Sequence, residues 1–288
     1  MQTSPNTAAI KTLQVLNWVA FCFMVFMNYL ANALPINGKN TGELSNQYPN
    51  LFVPAPLTFA IWGVIYFLVL VFCIAQSKSL FSRVTDPSTA TLVGKVGLAF
   101  VISSFFNAGW ILVWHYEYQL ISILFMLGIL SSLVYINLRV DEVAGFLSKT
   151  TRFAAKSSFG LYLGWICVAM VANVTAALVH NGWQGAGRSE TFWTCALVVI
   201  AVIIACVTLL KVRNFYVGLA VIWALTGIIN ARLSAETYYR FIVWSAVFGI
   251  GIVGIFTIIE AGKTLFRKNE VQPQVLPVPT SDQLQPPI

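Results

Sequence analysis

Long apolar runs constrain this chain more than any other feature of its sequence. A helix needs about 20 predominantly apolar residues to cross the hydrocarbon core of a bilayer, and runs of that length recur up to about residue 261. Hydrophobic residues make up 58% of the 288 residues and charged residues only 9%, whereas a typical soluble domain has about 25% charged residues. The sequence therefore predicts an all-α fold, a polytopic membrane helix bundle.

The apolar runs predict about eight transmembrane helices. They are Lys11–Leu34, Pro54–Ala75, Leu92–Trp114, Tyr118–Leu138, Ser158–Val179, Thr191–Leu210, Phe215–Ala231 and Phe241–Ala261. The seventh is the shortest, but its core is too apolar to lie in water. The first, with Lys11 at its start and Ala31 and Ala33 near its end, also fits a cleavable signal peptide. Its apolar core is longer than that of most signal peptides, which favours a retained helix.

The distribution of Lys and Arg predicts the orientation, because positively charged loops are retained on the cytoplasmic side. If the N-terminus is inside, the inner loops hold most of these residues. We therefore expect both termini to be cytoplasmic and the polar loop 37–50 to lie outside. The net charge of +7 follows from this bias, so we expect membrane lipid and no nucleic acid as partners. Residues 264–288, rich in Pro and Gln from Val271 onward, are predicted to form a disordered cytoplasmic tail.

The sequence has few of the residues and motifs that are typical of conventional enzymes. No Lys, Arg, Asp or Glu lies in the middle of a predicted span, which argues against a transporter built around a membrane carboxylate. No phosphate-binding loop, dinucleotide fingerprint or nucleophile elbow is present. His115 and His180 lie at the ends of the third and fifth spans; they are polar caps, or one of them approaches a haem iron. No metal site is predicted, because too few ligands lie nearby.

Aromatic and amide side chains are what the spans do contain. In the fifth span, Trp165, Ala169 and Asn173 follow at i, i+4 and i+8, so they share one face. A large ring, a small gap and an amide on one face could line a cavity for a flat apolar ligand. Equally, they could form helix packing with an interhelical hydrogen bond. Trp residues near helix ends commonly form an interfacial belt, which is the interpretation for Trp114, Trp193 and Trp244.

Three motifs resemble those of the TspO/MBR family, the tryptophan-rich sensory proteins that include the mitochondrial translocator protein. The resemblance covers roughly residues 10 to 180. The motifs are FVPAPLTFAIWGVIY, with Pro54, Pro56, Trp62 and Tyr66; FNAGW, with Asn107 and Trp110; and LYLGWICVAMVAN, with Tyr162, Trp165, Ala169 and Asn173. Where the family usually has a proline before the tyrosine of the last motif, this chain has Leu161. The family generally stops after five helices, so this chain looks like an extended branch with additional C-terminal helices.

The resemblance implies a TspO-like five-helix unit over residues 1–180, followed by three additional transmembrane helices over 181–263. It also implies a pocket covered by the loop between the first two helices. That loop would act as a lid, with Asn37, Gly38, Lys39 and Gly42 in it. The implied ligand-binding residues are Trp62, Tyr66, Asn107, Trp110, Tyr162, Trp165, Ala169 and Asn173. No cofactor is required, although a porphyrin or haem could be the bound small hydrophobic ligand.

These observations favour a sensor or carrier that binds a flat, tetrapyrrole-like molecule. Two alternatives of other classes stay open. One is a transporter or permease component, and the other is an enzyme that degrades a tetrapyrrole with light or oxygen. The missing catalytic motifs make an enzyme the weaker hypothesis. Gly160 with Gly164 predicts a close helix contact, and such small-residue seams also permit a homodimer.

Overall fold

The computed structural model of the protein describes residues 7–34, 36–39, 41–82 and 86–266. Within these ranges the chain forms ten α-helices joined by loops and short 3-10 turns. The helices are α1 (Thr7–Ala33), α2 (Thr41–Asn46), α3 (Ile61–Gln76), α4 (Pro87–Val96), α5 (Ala99–His115), α6 (Gln119–Val143), α7 (Lys149–His180), α8 (Glu190–Val212), α9 (Tyr216–Leu233) and α10 (Arg240–Phe266). Of the predicted tail, residues 264–266 continue α10, and the rest lies outside the described residues.

The predicted polytopic bundle is confirmed. In the described part of the chain, seven helical segments are long and apolar enough to cross a membrane, or eight if one bent pair is counted as a span. That pair is α4 with α5, which meet at an angle of 49°. The third span was predicted as one helix, Leu92–Trp114, and this is corrected: Gly97 adopts φ 53° and ends α4. Before α4, the Asp86 carboxylate accepts a hydrogen bond from the Thr89 backbone N–H at 2.9 Å and caps the helix.

Helix α7 lies at the centre of the bundle. In the most apolar 18-residue stretch of α7, 67% is buried inside the protein, which is more than in the corresponding stretch of any other described span. A Cβ atom at Gly164 would overlap the backbone carbonyl of Val217 on α9, and one at Gly160 would overlap the Asn214 side chain. The seam predicted from Gly160 and Gly164 is therefore a close contact between α7 and α9 within one chain.

A buried ion pair ties α6 and α7 to the turn between α8 and α9. Helix α7 begins before the predicted Ser158, so Lys156 lies inside the helix and is only 7% exposed. Its ammonium group lies 2.9 Å from the Asp141 carboxylate of α6 and donates to the Arg213 carbonyl at 2.9 Å. Beside it, the Asn214 amide donates to Asn137 Oδ1 at 2.8 Å. Pairing and hydrogen bonding make this burial of charge tolerable.

The C-terminal helices support the entrance to α3. The backbone N–H of Ala55 donates to the Gly227 carbonyl of α9 at 3.0 Å. The indole N–H of Trp223 donates to the Thr58 carbonyl at 2.8 Å. A side chain at Gly227 would overlap Thr58, so only a glycine allows this close approach. Helix α9 thus fixes the segment 54–60 that leads into α3.

Candidate ligand-binding pocket

Two adjoining cavities lie at the end of the bundle that carries the loop 37–50, which we call the lid. One has a volume of about 510 Å³ and the other, deeper one about 90 Å³. Residues that line both are Thr41, Pro54, Phe59, Trp62 and Trp110. Thr41 belongs to α2, so the lid itself borders both spaces.

The larger cavity lies between α1 and α3, with α5 behind it. Asn28, Tyr29 and Asn32 line it from α1, and the predicted site residue Tyr66 lines it from α3. The Tyr66 hydroxyl is buried and has no hydrogen-bond partner among the described residues. The larger cavity therefore combines aromatic walls with a few polar groups.

The predicted stripe on α7 lines the deeper cavity. Trp165, Ala169 and Asn173 all border it. Asn173 is at the same time a link between helices, because its Oδ1 accepts from Trp110 Nε1 at 2.7 Å and its amide donates to Ser122 Oγ at 2.7 Å. The stripe therefore borders a cavity and also joins α7 to α5 and α6.

The aromatic rings around the two cavities support one another. Trp62 stacks on Tyr66 with ring centres 5.5 Å apart and an interplanar angle of 21°. Trp165 meets the edges of Phe59 at 6.0 Å and of Trp62 at 6.1 Å. Trp110 stacks on Trp114 at 5.6 Å. Offset stacks and edge contacts of this kind are favourable, so the rings form a preformed apolar wall.

Two of the predicted site residues lie behind that wall. Asn107 and Tyr162 are fully buried and line neither cavity. The Asn107 amide donates to the Tyr162 hydroxyl at 2.8 Å, and its Oδ1 accepts from Asn28 at 2.7 Å. These two residues therefore hold α1, α5 and α7 together and position Asn28 at the cavity.

Two tryptophans that line the deeper cavity have indole N–H groups without hydrogen-bond partners among the described residues. The indole N–H groups of Trp165 and Trp114 are buried and unpaired among the described residues. Buried polar groups are normally paired, and an indole N–H can only donate. Both N–H groups therefore stay unsatisfied among the described residues.

The lid is held by polar contacts to the end of α5 and the turn after it. The Asn37 amide donates to the His115 carbonyl at 3.0 Å, and the Lys39 ammonium pairs with the Glu117 carboxylate at 2.9 Å. Asn37 and Gly38 take left-handed φ angles of 56° and 77°, which Asn and Gly tolerate best. Gly42 lies in α2 rather than in a turn.

A second group of contacts anchors the far half of the lid. The Tyr48 hydroxyl donates to Glu117 at 3.3 Å and accepts from the Gln119 amide at 2.9 Å. Burial raises the pKa of the Tyr48 phenol. The hydrogen bond from Lys39 lowers the pKa of the Glu117 carboxyl, and the Lys39 charge acts in the same direction. At neutral pH the lid is therefore fastened by an ionised carboxylate and a neutral phenol.

Neither histidine is among the described residues that line these two cavities. The ring of His115 is buried between α5 and the lid, with Nδ1 2.7 Å from the Ile111 carbonyl and Nε2 3.4 Å from Thr41 Oγ1. The His180 ring packs against Tyr48. Within the described ranges, no group of three or more His, Cys, Asp or Glu could hold a metal ion. The residues around the cavities fit a flat ring by stacking, and they present no imidazole to a haem iron.

Sequence reasoning missed several residues of the pocket. Trp114, assigned to an interfacial belt, is only 6% exposed and lines the deeper cavity. Its spacing of four from Trp110 puts both rings on one face of α5, a signal that could have found it. Phe59 stood inside the proline-rich motif. Ala224 and Ile228 line the deeper cavity from α9, and nothing in the sequence pointed to them.

The fold is that of a multi-pass membrane helical bundle with an aromatic internal cavity bordered by the loop 37–50. The model of the TSPO-like protein family matches residues 14–259, and the chain belongs to this family. The match extends beyond the resemblance at residues 10 to 180 and includes most of the last three helices. Comparisons with curated proteins and with solved structures give no significant match.

Proposed function

We propose that this protein binds a flat, hydrophobic ligand of the porphyrin or tetrapyrrole type and acts as a sensor or carrier for it. The observation that carries the proposal is the aromatic wall shared by the two cavities, in which Trp62 and Trp110 border both spaces. The larger volume, about 510 Å³, falls within the roughly 300–1,000 Å³ usual for small-molecule pockets. Membership of the TSPO-like family supports a hydrophobic ligand.

The chemistry of the lining favours binding over turnover. None of the described residues that line the cavities is Lys, Arg, Asp or Glu, so affinity would come from stacking and apolar contact. Each well-placed aromatic pair contributes about 0.5–1.5 kcal/mol beyond area burial. Lys39, the basic residue that was predicted in the lid, forms an ion pair with Glu117. A ligand carboxylate would therefore compete with Glu117 for it.

Titration of the purified protein with protoporphyrin IX tests the proposal. We expect porphyrin to quench tryptophan fluorescence saturably in lipid nanodiscs, and we expect Trp165→Ala to weaken the affinity about tenfold. Trp244→Ala is the matched control, because Trp244 is 56% exposed and lines neither cavity. Equal affinities of wild type and Trp165→Ala would show that the pocket is not the binding site. Illumination that yields porphyrin products beyond a protein-free sample would favour the degrading enzyme instead.

We also propose that both termini are cytoplasmic and that the lid faces the opposite side of the membrane. The support is the excess of Lys and Arg in the loops that would then be inside. A ligand arriving from that opposite side would meet the lid first.

A further inference from the structure

Helices α1 and α3 are joined at one end and separate at the other. At the end away from the lid, Asn17 donates to Gln76 Oε1 at 2.8 Å and Trp18 Nε1 donates to Ser77 Oγ at 2.7 Å. Toward the lid, no hydrogen bond or ion pair between described residues joins residues 25–33 of α1 to α3. The larger cavity occupies the space between the two helices there.

Both helices that flank this gap carry exposed apolar side chains. Phe26 and Tyr29 of α1 are 55% and 62% exposed, and Val64 and Phe67 of α3 are 51% and 62% exposed. Because α1 and the helical segment that contains α3 are long and apolar enough to cross a membrane, we expect these exposed side chains to face lipid. The polar contacts of the lid, by contrast, go to α5, α6 and the turn between them. The side of the larger cavity between α1 and α3 is therefore a lipid-facing side.

The side chain of Asn28 is held by two hydrogen bonds at the larger cavity, which fixes the orientation of its acceptor. The Asn28 amide nitrogen donates to the Met24 carbonyl at 2.9 Å and to Asn107 Oδ1 at 2.7 Å. A backbone carbonyl only accepts, so this contact identifies the nitrogen and both of its protons are used. Asn28 Oδ1 has no donor among the described residues, while Asn28 lines the cavity.

We propose that the larger cavity is a lipid-facing subsite that selects flat hydrophobic molecules with an O–H or N–H donor, which bonds to Asn28 Oδ1. The proposal rests on the proposed function in that it concerns the same pocket. It goes beyond that function because it names the residue that recognises the donor group of the ligand, and it states that the ligand enters from the lipid. An acceptor in apolar surroundings penalises a ligand that leaves it unpaired.

A pair of probes that differ by one donor tests this directly. 1-Pyrenylmethanol and its methyl ether share one flat ring system, and energy transfer from tryptophan to pyrene reports binding in nanodiscs. After correction for partition into protein-free nanodiscs, we expect wild-type protein to bind the alcohol about tenfold more tightly. Equal affinities in the wild type would overturn the proposal without any variant.

Three variants locate the acceptor. Asn28→Ala should reduce the preference for the alcohol to less than about twofold. A general loosening caused by the loss of the Asn107 contact would weaken both probes and leave their ratio unchanged, so the ratio isolates the hydrogen bond. Tyr66→Phe and Asn32→Ala each remove another polar group from the same cavity, and both should keep the preference. A preference that disappears in Tyr66→Phe and survives in Asn28→Ala would contradict the assignment.

Entry from the lipid is tested by rates. Val25 lines the larger cavity on α1, and Val25→Trp should slow association and dissociation of the alcohol by about the same factor, on the order of tenfold, because it narrows the passage. Val19→Trp, at a site that is 60% exposed on the same helix, should leave both rates unchanged. If Val25→Trp has no effect and Lys39→Met speeds association, the ligand enters under the lid and the lipid-facing part is wrong.

The two proposals fail separately. Porphyrin binding that depends on Trp165, together with equal affinities for the alcohol and the ether, would contradict only the role of Asn28. A clear preference for the alcohol without any porphyrin binding would contradict only the tetrapyrrole ligand.

Discussion

The indole N–H of Trp110 donates to the side-chain oxygen of Asn173 at 2.7 Å and joins α5 to α7 at the wall of the deeper cavity. Both residues are buried. One hydrogen bond thus joins two packed helices and also fixes the orientation of the Trp110 ring, which lines both cavities. The pocket and the fold are therefore coupled at this point.

Removal of this link should destabilise the protein. Asn173→Ala leaves the Trp110 N–H buried without a partner and also removes the bond to Ser122. We expect the free energy of unfolding to fall by about 1–3 kcal/mol, measured by unfolding in mixed SDS micelles. Asn181→Ala is the control, because the described hydrogen bond of its side chain is a local one to Ala177; it should change stability by less than about 0.5 kcal/mol. Equal effects of the two would show that the link is not structural.

The contact between α7 and α9 should tolerate no side chain. Gly164→Ala places a Cβ against the Val217 carbonyl, and we expect a loss of about 1–3 kcal/mol from overpacking. Gly251→Ala meets no heavy atom within 4 Å, so higher helix propensity should leave it neutral or up to about 1 kcal/mol more stable. Thermal unfolding of both variants in detergent compares them. A stable Gly164→Ala protein would mean that α7 and α9 can separate without cost.

Removal of one partner of the buried ion pair should destabilise the protein more than removal of both partners. Among the described residues, Lys156→Met leaves the buried Asp141 carboxylate with Arg213, at 3.8 Å, as its remaining ion-pair partner, and we expect a loss of about 3–5 kcal/mol. Lys156→Met combined with Asp141→Leu removes both charges and should recover most of this loss. A double-mutant cycle in SDS unfolding measures the coupling. Additive effects of the two substitutions would show that the charges do not interact.

Protection of the lid should depend on pH. The pKa of Glu117 is lowered from its ordinary value of 4.5, so the pair with Lys39 stabilises the closed lid at and above that pH and is lost as the pH falls through the lowered pKa. Both partners are about one-third exposed, which limits the effect to about 0.2–1 kcal/mol. Hydrogen exchange of residues 41–48, corrected against an unstructured peptide, measures it. Lys39→Met should lose part of the protection at pH 7 and show a smaller further change on acidification than wild type, because the hydrogen bond from Tyr48 to Glu117 remains. A lid that stays equally protected throughout would exclude this role for the pair.

Orientation can be measured independently of function. Reporter proteins that are active only in the cytoplasm should be active when fused before residue 1 or after residue 288. Reporters that are active only on the opposite side should be inactive at both positions. A cysteine-directed, membrane-impermeant label at exposed Gln47→Cys, in a Cys22→Ser background, should react from the opposite side. Labelling of Gln47→Cys only after the membrane is opened would place the lid inside.

Much of the fold could be predicted because it depends on local properties. Span length and hydropathy are read from consecutive residues, and the predicted C-terminal ends of the helices containing Trp62 and Trp165, Ala75 and Val179, lie next to the observed ends, Gln76 and His180. The break at Gly97 was not predicted, since the apolar run continues through it and hydropathy does not record a left-handed φ angle. Helix α7 was predicted too short, because Lys156 is polar in sequence and buried only through its pairing with Asp141.

The candidate site was predictable only where its residues share one helix face. Trp165, Ala169 and Asn173 follow at helical spacing and line one cavity together. Asn107 and Tyr162 belong to the same family motifs but lie behind the aromatic wall. The orientation of α5 and α7 about their axes decides which residues of a motif line the cavity and which are packed between helices. Trp114 and Ala224 reached the cavity for the same reason, one from the same helix and one from the far part of the chain.

The sequence by itself determined that this chain spans a membrane as a helical bundle, which family it resembles, and which helices carry the tryptophans. These follow from the length, hydropathy and spacing of neighbouring residues. The tertiary structure alone decided that α9 supports the entrance to α3, that Asn28 presents its oxygen to a cavity, and that the lid is fastened to Glu117. Those features depend on contacts between residues far apart in the chain, and such contacts are fixed only when the helices pack.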